Sequence, residues 1–175
     1  NSNDIYYGMT LINTKNTNVP GWRKIKNFLE IHPNIILEYA KDKMGDLYNP
    51  ENFIYCSNKY RNSMDIITGD GGFDFSINYD EQESLALKLI FCQIAYAIAL
   101  QKKGGTFILK IFDVFLQSSV ELIFMLSCLY EKVNIIKPNT SRYANSEKYI
   151  VCEQYKLENS SDIIKKLHSI LVVLN

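Results

Sequence analysis

Three ionisable residues stand where the apolar pattern around them gives no reason for a charge. Asp70 closes the short run MDIITGD and is followed by Gly71 and Gly72, which let a backbone or a ligand come close. Lys110 interrupts TFILKIF; a lysine is rarely buried without a partner, so it either snorkels to an edge or meets a carboxylate at a site. Glu147 opens the last alternating strand, after the loop KPNTSRYANS with its crowd of hydrogen-bonding groups. The plain alternatives are a turn aspartate at 70 and a solvated strand-start glutamate at 147, and the residues alone leave both standing. A lysine with two carboxylates at one sheet edge suits several acid-base and ligand-binding chemistries and selects none. His32 and His168 have nothing to pair with in sequence and are assigned no role.

The spacing of apolar positions says what must hold these residues. Strands are expected over 4–12 and 34–40, then a helix with Asn49 as cap, Pro50 at its first position and Glu51 in its first turn. MDIITGD, 64–70, has the look of a parallel strand buried on both faces. From Asp80 to Lys103, Leu85, Leu89, Cys92, Tyr96 and Ala99 recur at helical spacing, and Gly104–Gly105 are expected to end that helix. TFILKIF follows as a strand, and Ser118 through Glu131 as a helix with Val120, Ile123, Phe124, Ser127 and Cys128 on one side. KVNIIKP and EKYIVCEQYK have no helix between them and should be antiparallel neighbours, with a closing helix capped by Ser160 or Ser161. This alternation describes an α/β layered sheet with helices on both faces, in which ligands bind beyond the C-terminal strand ends.

At 175 residues and 47% hydrophobic content, one domain spanning 1–175 is expected. Lys plus Arg equals Asp plus Glu at 19 each, so no overall basic field draws nucleic acid by charge alone. Cys56, Cys92, Cys128 and Cys152 show no Cys-x-x-Cys spacing and sit in apolar contexts; reduced core thiols are expected and no metal site. No run approaches the roughly 18 uninterrupted apolar residues of a membrane span, and no leader is visible, which predicts a soluble, intracellular protein. The wealth of Asn, Ile, Lys and Tyr is what an AT-rich genome produces, whether of a large cytoplasmic DNA virus or a protist.

DGGFD at 70–74, GGTFILKIFD at 104–113 and KPNTSRYANSEKYIVC at 137–152 together resemble the FtsJ-like ribose 2'-O-methyltransferases, and most closely their messenger-RNA cap branch. The resemblance implies a Rossmann-like three-layer sandwich, its sheet mostly parallel with a terminal antiparallel pair, and S-adenosylmethionine as cofactor. It maps Asp70, Lys110 and Glu147 onto members of a Lys-Asp-Lys-Glu catalytic tetrad, and Asp46, with Asp70, onto the cofactor side. Asn145, Ser141 and Arg142 fall where the family contacts RNA, and the implied partner is the 5' end of capped mRNA. The first strand and helix of the family, its glycine-rich cofactor loop and its first tetrad lysine have no counterpart in 1–175. The expectation is therefore the C-terminal part of a methyltransferase domain, its cofactor site completed by an N-terminal segment or a partner chain. The alternatives are an inactive methyltransferase-like scaffold or RNA-binding subunit, and an enzyme acting on ribosomal or transfer RNA.

Overall fold

The computed structural model describes residues 4–12, 19, 21–72 and 81–175. In chain order these form β1 (Tyr6–Gly8), a 3-10 turn (Arg23–Ile25), α1 (Lys26–Ile31), β2 (Ile35–Leu37), α2 (Pro50–Tyr60) and β3 (Met64–Gly69). There follow α3 (Gln82–Leu100), β4 (Gln101–Ile111), α4 (Gln117–Leu129), β5 (Tyr130–Ile136), β6 (Lys148–Tyr155) and α5 (Ser161–Leu174). β1 and β2 pair in parallel; the other strands form one sheet in the order β3-β4-β6-β5. β3 and β4 are parallel, whereas β6 is antiparallel to both β4 and β5, so β6 alone runs against its sheet. The α/β alternation and the antiparallel β5–β6 neighbours are those expected.

The core is built on α3, against which α2, α4 and α5 pack. By length and mean hydropathy α3 could cross a membrane, although Lys88 and Gln93 interrupt its apolar run, but Cys92 through Ala99 are all buried, as in the core helix of a globular domain. Phe107, Leu109 and Ile111 of β4 point into this core, while the alternate residues Thr106, Ile108 and Lys110 are only half buried on the other face.

Several local expectations are corrected. The first two strands are shorter than 4–12 and 34–40: the Glu38 amide makes the last ladder bond, to Gly8 O at 2.8 Å, and Ala40, at φ 56°, then turns the chain away. β3 is not buried on both faces: it is an edge strand, paired only with β4 among the described residues, and Ile66 is 68% exposed. Gly104 and Gly105 do not end the long helix, which stops at Leu100; they lie inside β4. There the buried Gln101 side chain donates to Thr106 O at 2.7 Å and accepts from the Tyr130 hydroxyl at 2.6 Å. A Cβ on Gly105 would come within 2.7 Å of Gln101 Nε2, so only glycine admits that amide.

On α4 the packed face is rotated from the one expected. Leu126 and Leu129 are buried with Leu122 and Ile123 beside them, whereas Val120 is 53% and Phe124 69% exposed, and Ser127 and Cys128 are exposed too. Cys56, Cys92 and Cys152 are free buried thiols, each pushed by burial up to about 12, but Cys128 is exposed and not a core thiol. Asn49 caps α2 as predicted, its Oδ1 accepting the Glu51 amide at 3.0 Å. At α5 neither serine caps with its hydroxyl: Ser160 Oγ donates to Asn62 Oδ1, and Asn159 Oδ1 takes the Ser161 amide instead.

A buried carboxylate ties β2 to α2. Glu38 accepts from Lys59 Nζ at 2.7 Å, from the Tyr60 hydroxyl and from the Ala40 amide at 2.8 Å. Burial pushes the Glu38 carboxyl up, but these donors outweigh it and hold the group below the usual glutamate range.

Candidate active site

Strand register brings the three ionisable residues together. Gly69 pairs with Leu109, so the next residue along each parallel strand sets Asp70 beside Lys110; on the other flank Lys110 pairs with Tyr149 and Ile111 with Lys148. Lys110 thus sits between the end of β3 and the start of β6. Its Nζ is 2.8 Å from Asp70 Oδ1 and 3.9 Å from Glu147 Oε2. Between snorkelling and a carboxylate partner, the structure answers with the partner: the Lys110 side chain is 22% exposed and its Nζ lies 6.0 Å from the centroid of the Phe112 ring. Burial lowers its proton affinity, but the Asp70 hydrogen bond and the charges of Asp70 and Glu147 outweigh burial, and the ammonium is held above the ordinary lysine range.

The Asp70 turn is fixed from behind by a residue that the sequence reading did not single out. Gln93 of α3, 7% exposed, accepts the Gly71 amide on Oε1 at 2.8 Å and donates to Leu89 O at 3.2 Å. A Cβ on Gly69 would lie 2.9 Å from Leu109 Cδ1, and one on Gly71 3.0 Å from Gln93 Oε1, so the glycines allow strand and helix to touch. The available signal was a carboxamide in the apolar run IFCQIAYAI. Phe73 and Asp74 of the DGGFD stretch lie outside the described residues.

Glu147 is oriented by its own loop. Ser141 Oγ donates to Glu147 Oε1 at 3.2 Å and the Tyr149 hydroxyl donates to the same oxygen at 3.3 Å, which leaves Oε2 toward Lys110. Ser141 Oγ also reaches Asn145 Oδ1 at 3.2 Å, and Arg142 and Asn145 are exposed on the turn. A second brace holds this edge to α3. Glu83 accepts the amides of Phe115 and Leu116 and, at 2.5 Å, the Ser119 hydroxyl; burial raises its carboxyl, and these donors outweigh it and bring it down. Lys148 pairs with Asp113 at 3.1 Å, and Ser146 Oγ bonds Gln82 Oε1 at 3.0 Å.

Asp46 stands apart from the trio, with which it makes no polar contact among the described residues. Its Oδ1 accepts the Tyr48 amide at 2.9 Å, and its backbone carbonyl accepts from Asn52 Nδ2 at 2.9 Å. Gly45, at φ 66°, packs so closely on Thr10 O that the turn could hold no other residue there, and this sets Asp46 in the crook between the end of β1 and α2. Its charge is felt by Cys92, the neighbour of Gln93 on α3. Among the described residues no cluster of three or more His, Cys, Asp or Glu side chains is arranged to hold a metal ion.

Residues 5–155 match the FtsJ-like methyltransferase family. The chain is 34% identical over 178 residues to cap-specific mRNA (nucleoside-2'-O-)-methyltransferase 1 of Mus musculus, covering 97% of this chain and 20% of that protein. It is 38% identical over 132 residues to cap-specific mRNA (nucleoside-2'-O-)-methyltransferase 2 of Danio rerio, covering 74% of this chain and 18% of the relative. The chain thus spans about a fifth of the length of these curated relatives. Among solved structures, a ribosomal RNA methyltransferase from Plasmodium falciparum superposes with a TM-score of 0.50 at 21% identity, over 70% of this chain and 65% of that one, a likeness of fold.

Proposed function

The chain belongs to the FtsJ-like methyltransferase family, and from that premise we propose that it carries the reacting edge of an mRNA cap 2'-O-methyltransferase that uses S-adenosylmethionine. The observation that carries this reading is the Lys110 ammonium set 2.8 Å from Asp70 and 3.9 Å from Glu147 at the C-terminal end of β4. Transfer to a ribose needs a group that takes the proton of the 2'-hydroxyl and a frame that holds the hydroxyl in line. Lys110 takes that proton at Nζ once the amine is neutral; Asp70 and Glu147 aim the side chain. Because both carboxylates favour the ammonium, a cation arriving beside Asp70 is what would release the Lys110 proton.

S-adenosylmethionine supplies, when bound, a sulfonium methyl open to displacement and a positive charge. The residues present fit that group in part. Asp46 has one carboxylate oxygen in its own turn and a second without a partner among the described residues, suited to a hydroxyl or amine donor. At Gly72 a Cβ would meet nothing within 4 Å among the described residues, which leaves room there beside Asp70. Asn145, Ser141 and Arg142 would meet phosphate or ribose oxygens of the RNA. Two parallel strands offer free edges among the described residues, β1 with Tyr6 and Tyr7 exposed and β3 with Ile66 exposed. In this reading chain outside 1–175, an N-terminal segment or a partner chain, covers them and completes the cofactor site. A messenger-RNA substrate puts the enzyme in the nucleus or cytoplasm.

The test is methyl transfer from labelled S-adenosylmethionine to short RNAs, with and without a cap, by the full-length protein that contains this chain. Ribose methylation of the capped RNA in clear preference is expected. Equal rates on both would overturn the cap assignment, and no transfer under conditions where cofactor binds would overturn the methyltransferase reading.

A further inference from the structure

Lys137 follows β5 and heads the loop that ends at Glu147. Its ammonium gathers acceptors from the far end of that loop: Asn145 O at 2.7 Å, Asn145 Oδ1 at 2.8 Å and Glu147 O at 3.0 Å. An ammonium has three donors and no acceptor, so these contacts use the whole head group and require that the Asn145 side chain present its oxygen, not its nitrogen, to Lys137. Ser141 Oγ also lies 3.2 Å from that oxygen, its one proton shared between Asn145 Oδ1 and Glu147 Oε1. The Asn145 amide nitrogen has no partner among the described residues, and the residue is exposed, so its N–H groups are free to donate.

The charge points the same way. All three Lys137 acceptors are neutral amide oxygens, and no carboxylate pairs with it among the described residues. With exposed Arg142 it leaves positive charge on the loop. A backbone carrying phosphates is the partner that such a surface attracts.

Resting on the ribose-methylation reading, we infer that Lys137 is a positioning residue. It closes residues 138–146 into one shape, turns the Asn145 amide outward as a donor to an oxygen of the RNA backbone, and anchors the main chain of Glu147, whose carboxylate faces Lys110. It touches neither the reacting hydroxyl nor the cofactor, so its loss should be felt by RNA and not by S-adenosylmethionine.

The experiment compares wild type with Lys137→Met, which keeps the aliphatic stem and removes every donor, in the full-length protein. Amide hydrogen exchange over 139–147 is expected to accelerate about tenfold, since the loop's closing contacts are gone; unchanged exchange would overturn the inference. The KM for RNA is expected to rise about tenfold while the KM for S-adenosylmethionine stays within about twofold. An unchanged KM for RNA, or an equal rise in both, would also overturn it. A wild type that transfers no methyl sinks the ribose-methylation reading and the RNA half of the inference with it, while the exchange result still decides whether Lys137 holds the loop.

Discussion

Lys110 Nζ and Asp70 Oδ1 meet at 2.8 Å across two parallel strands because Gly69 and Leu109 are in register. The ion pair is therefore a product of strand alignment, and Gln93 secures it by binding the Gly71 amide just beyond. On the opposite flank, antiparallel pairing of Lys110 with Tyr149 brings in Glu147. Lys110 is thus met by a carboxylate from each side, and these two charges bear on the pH at which an amine base can work.

The raised proton affinity of Lys110 gives the first prediction. Near neutrality almost all of the residue is ammonium, and each unit of pH increases the neutral amine about tenfold. Followed as kcat/KM for S-adenosylmethionine, which reports the enzyme before the cation meets Asp70, methyl transfer should climb without levelling between about pH 7 and 9. A plateau reached below about pH 8 would show that the limiting base is not this lysine as the carboxylates hold it.

Replacing Lys110 itself is the direct test. Lys110→Ala should lower transfer by at least about a hundredfold, the low end for loss of a general base. Cofactor affinity, followed by calorimetry, should be largely unchanged, because the lysine is assigned to the hydroxyl and not to the cofactor. Turnover persisting in the variant removes Lys110 from the base role.

The trio could be found in sequence because each member broke an apolar pattern at a strand end. Lys110 in TFILKIF and Asp70 before two glycines were conspicuous against their neighbours, and the antiparallel pair was visible from the lack of a helix between KVNIIKP and EKYIVCEQYK. What could not be read depends on contacts between distant segments. Gly104–Gly105 have the form of a helix stop, but the buried Gln101 amide starts the strand early and uses the glycines for its own close approach. The apolar residues of α4 allow more than one face, and only packing picks Leu126 and Leu129 over Val120 and Phe124. β3 has the composition of a central strand, and nothing within it says that among the described residues it pairs with β4 alone.

Gln93 supports the site from within the core, so its loss should weaken fold and catalysis together. Gln93→Leu keeps the bulk and takes the acceptor from the amide of Gly71, itself an exposed residue, at a cost of about 0.5–1.5 kcal/mol, the net worth of one hydrogen bond. Urea unfolding measures the loss. Stability unchanged within about 0.5 kcal/mol would mean that water replaces the carboxamide without penalty and that the Asp70 turn does not depend on it.

Asp46 offers a way to separate charge from turn geometry. Asp46→Asn retains an oxygen for the Tyr48 amide and removes the carboxylate, whereas Asp46→Ala removes both. If the carboxylate receives the cofactor, the asparagine variant melts like wild type but binds S-adenosylmethionine about tenfold more weakly, the loss of one charge-assisted hydrogen bond. Calorimetry gives the affinity; an unchanged value in Asp46→Asn discards the assignment.

Glu38 should govern stability in acid. The residue is 7% exposed; burial works against ionisation of its carboxyl, but Lys59, Tyr60 and the Ala40 amide more than compensate and hold it below the usual range. A carboxyl whose folded pKa is depressed stabilises the fold above its unfolded value, about 4.3, and that contribution is lost as pH falls through the folded value. Glu38→Gln, which keeps the shape, removes the charge that Lys59 and Tyr60 donate to and should cost about 1–3 kcal/mol near neutrality. The gap in melting temperature between wild type and Glu38→Gln should be full at about pH 6 and should narrow toward about pH 3, as the wild-type carboxyl takes up its proton and comes to resemble the amide. A gap of the same size at both ends would mean that the group is not held ionised in the fold, and that the link between β2 and α2 owes nothing to charge.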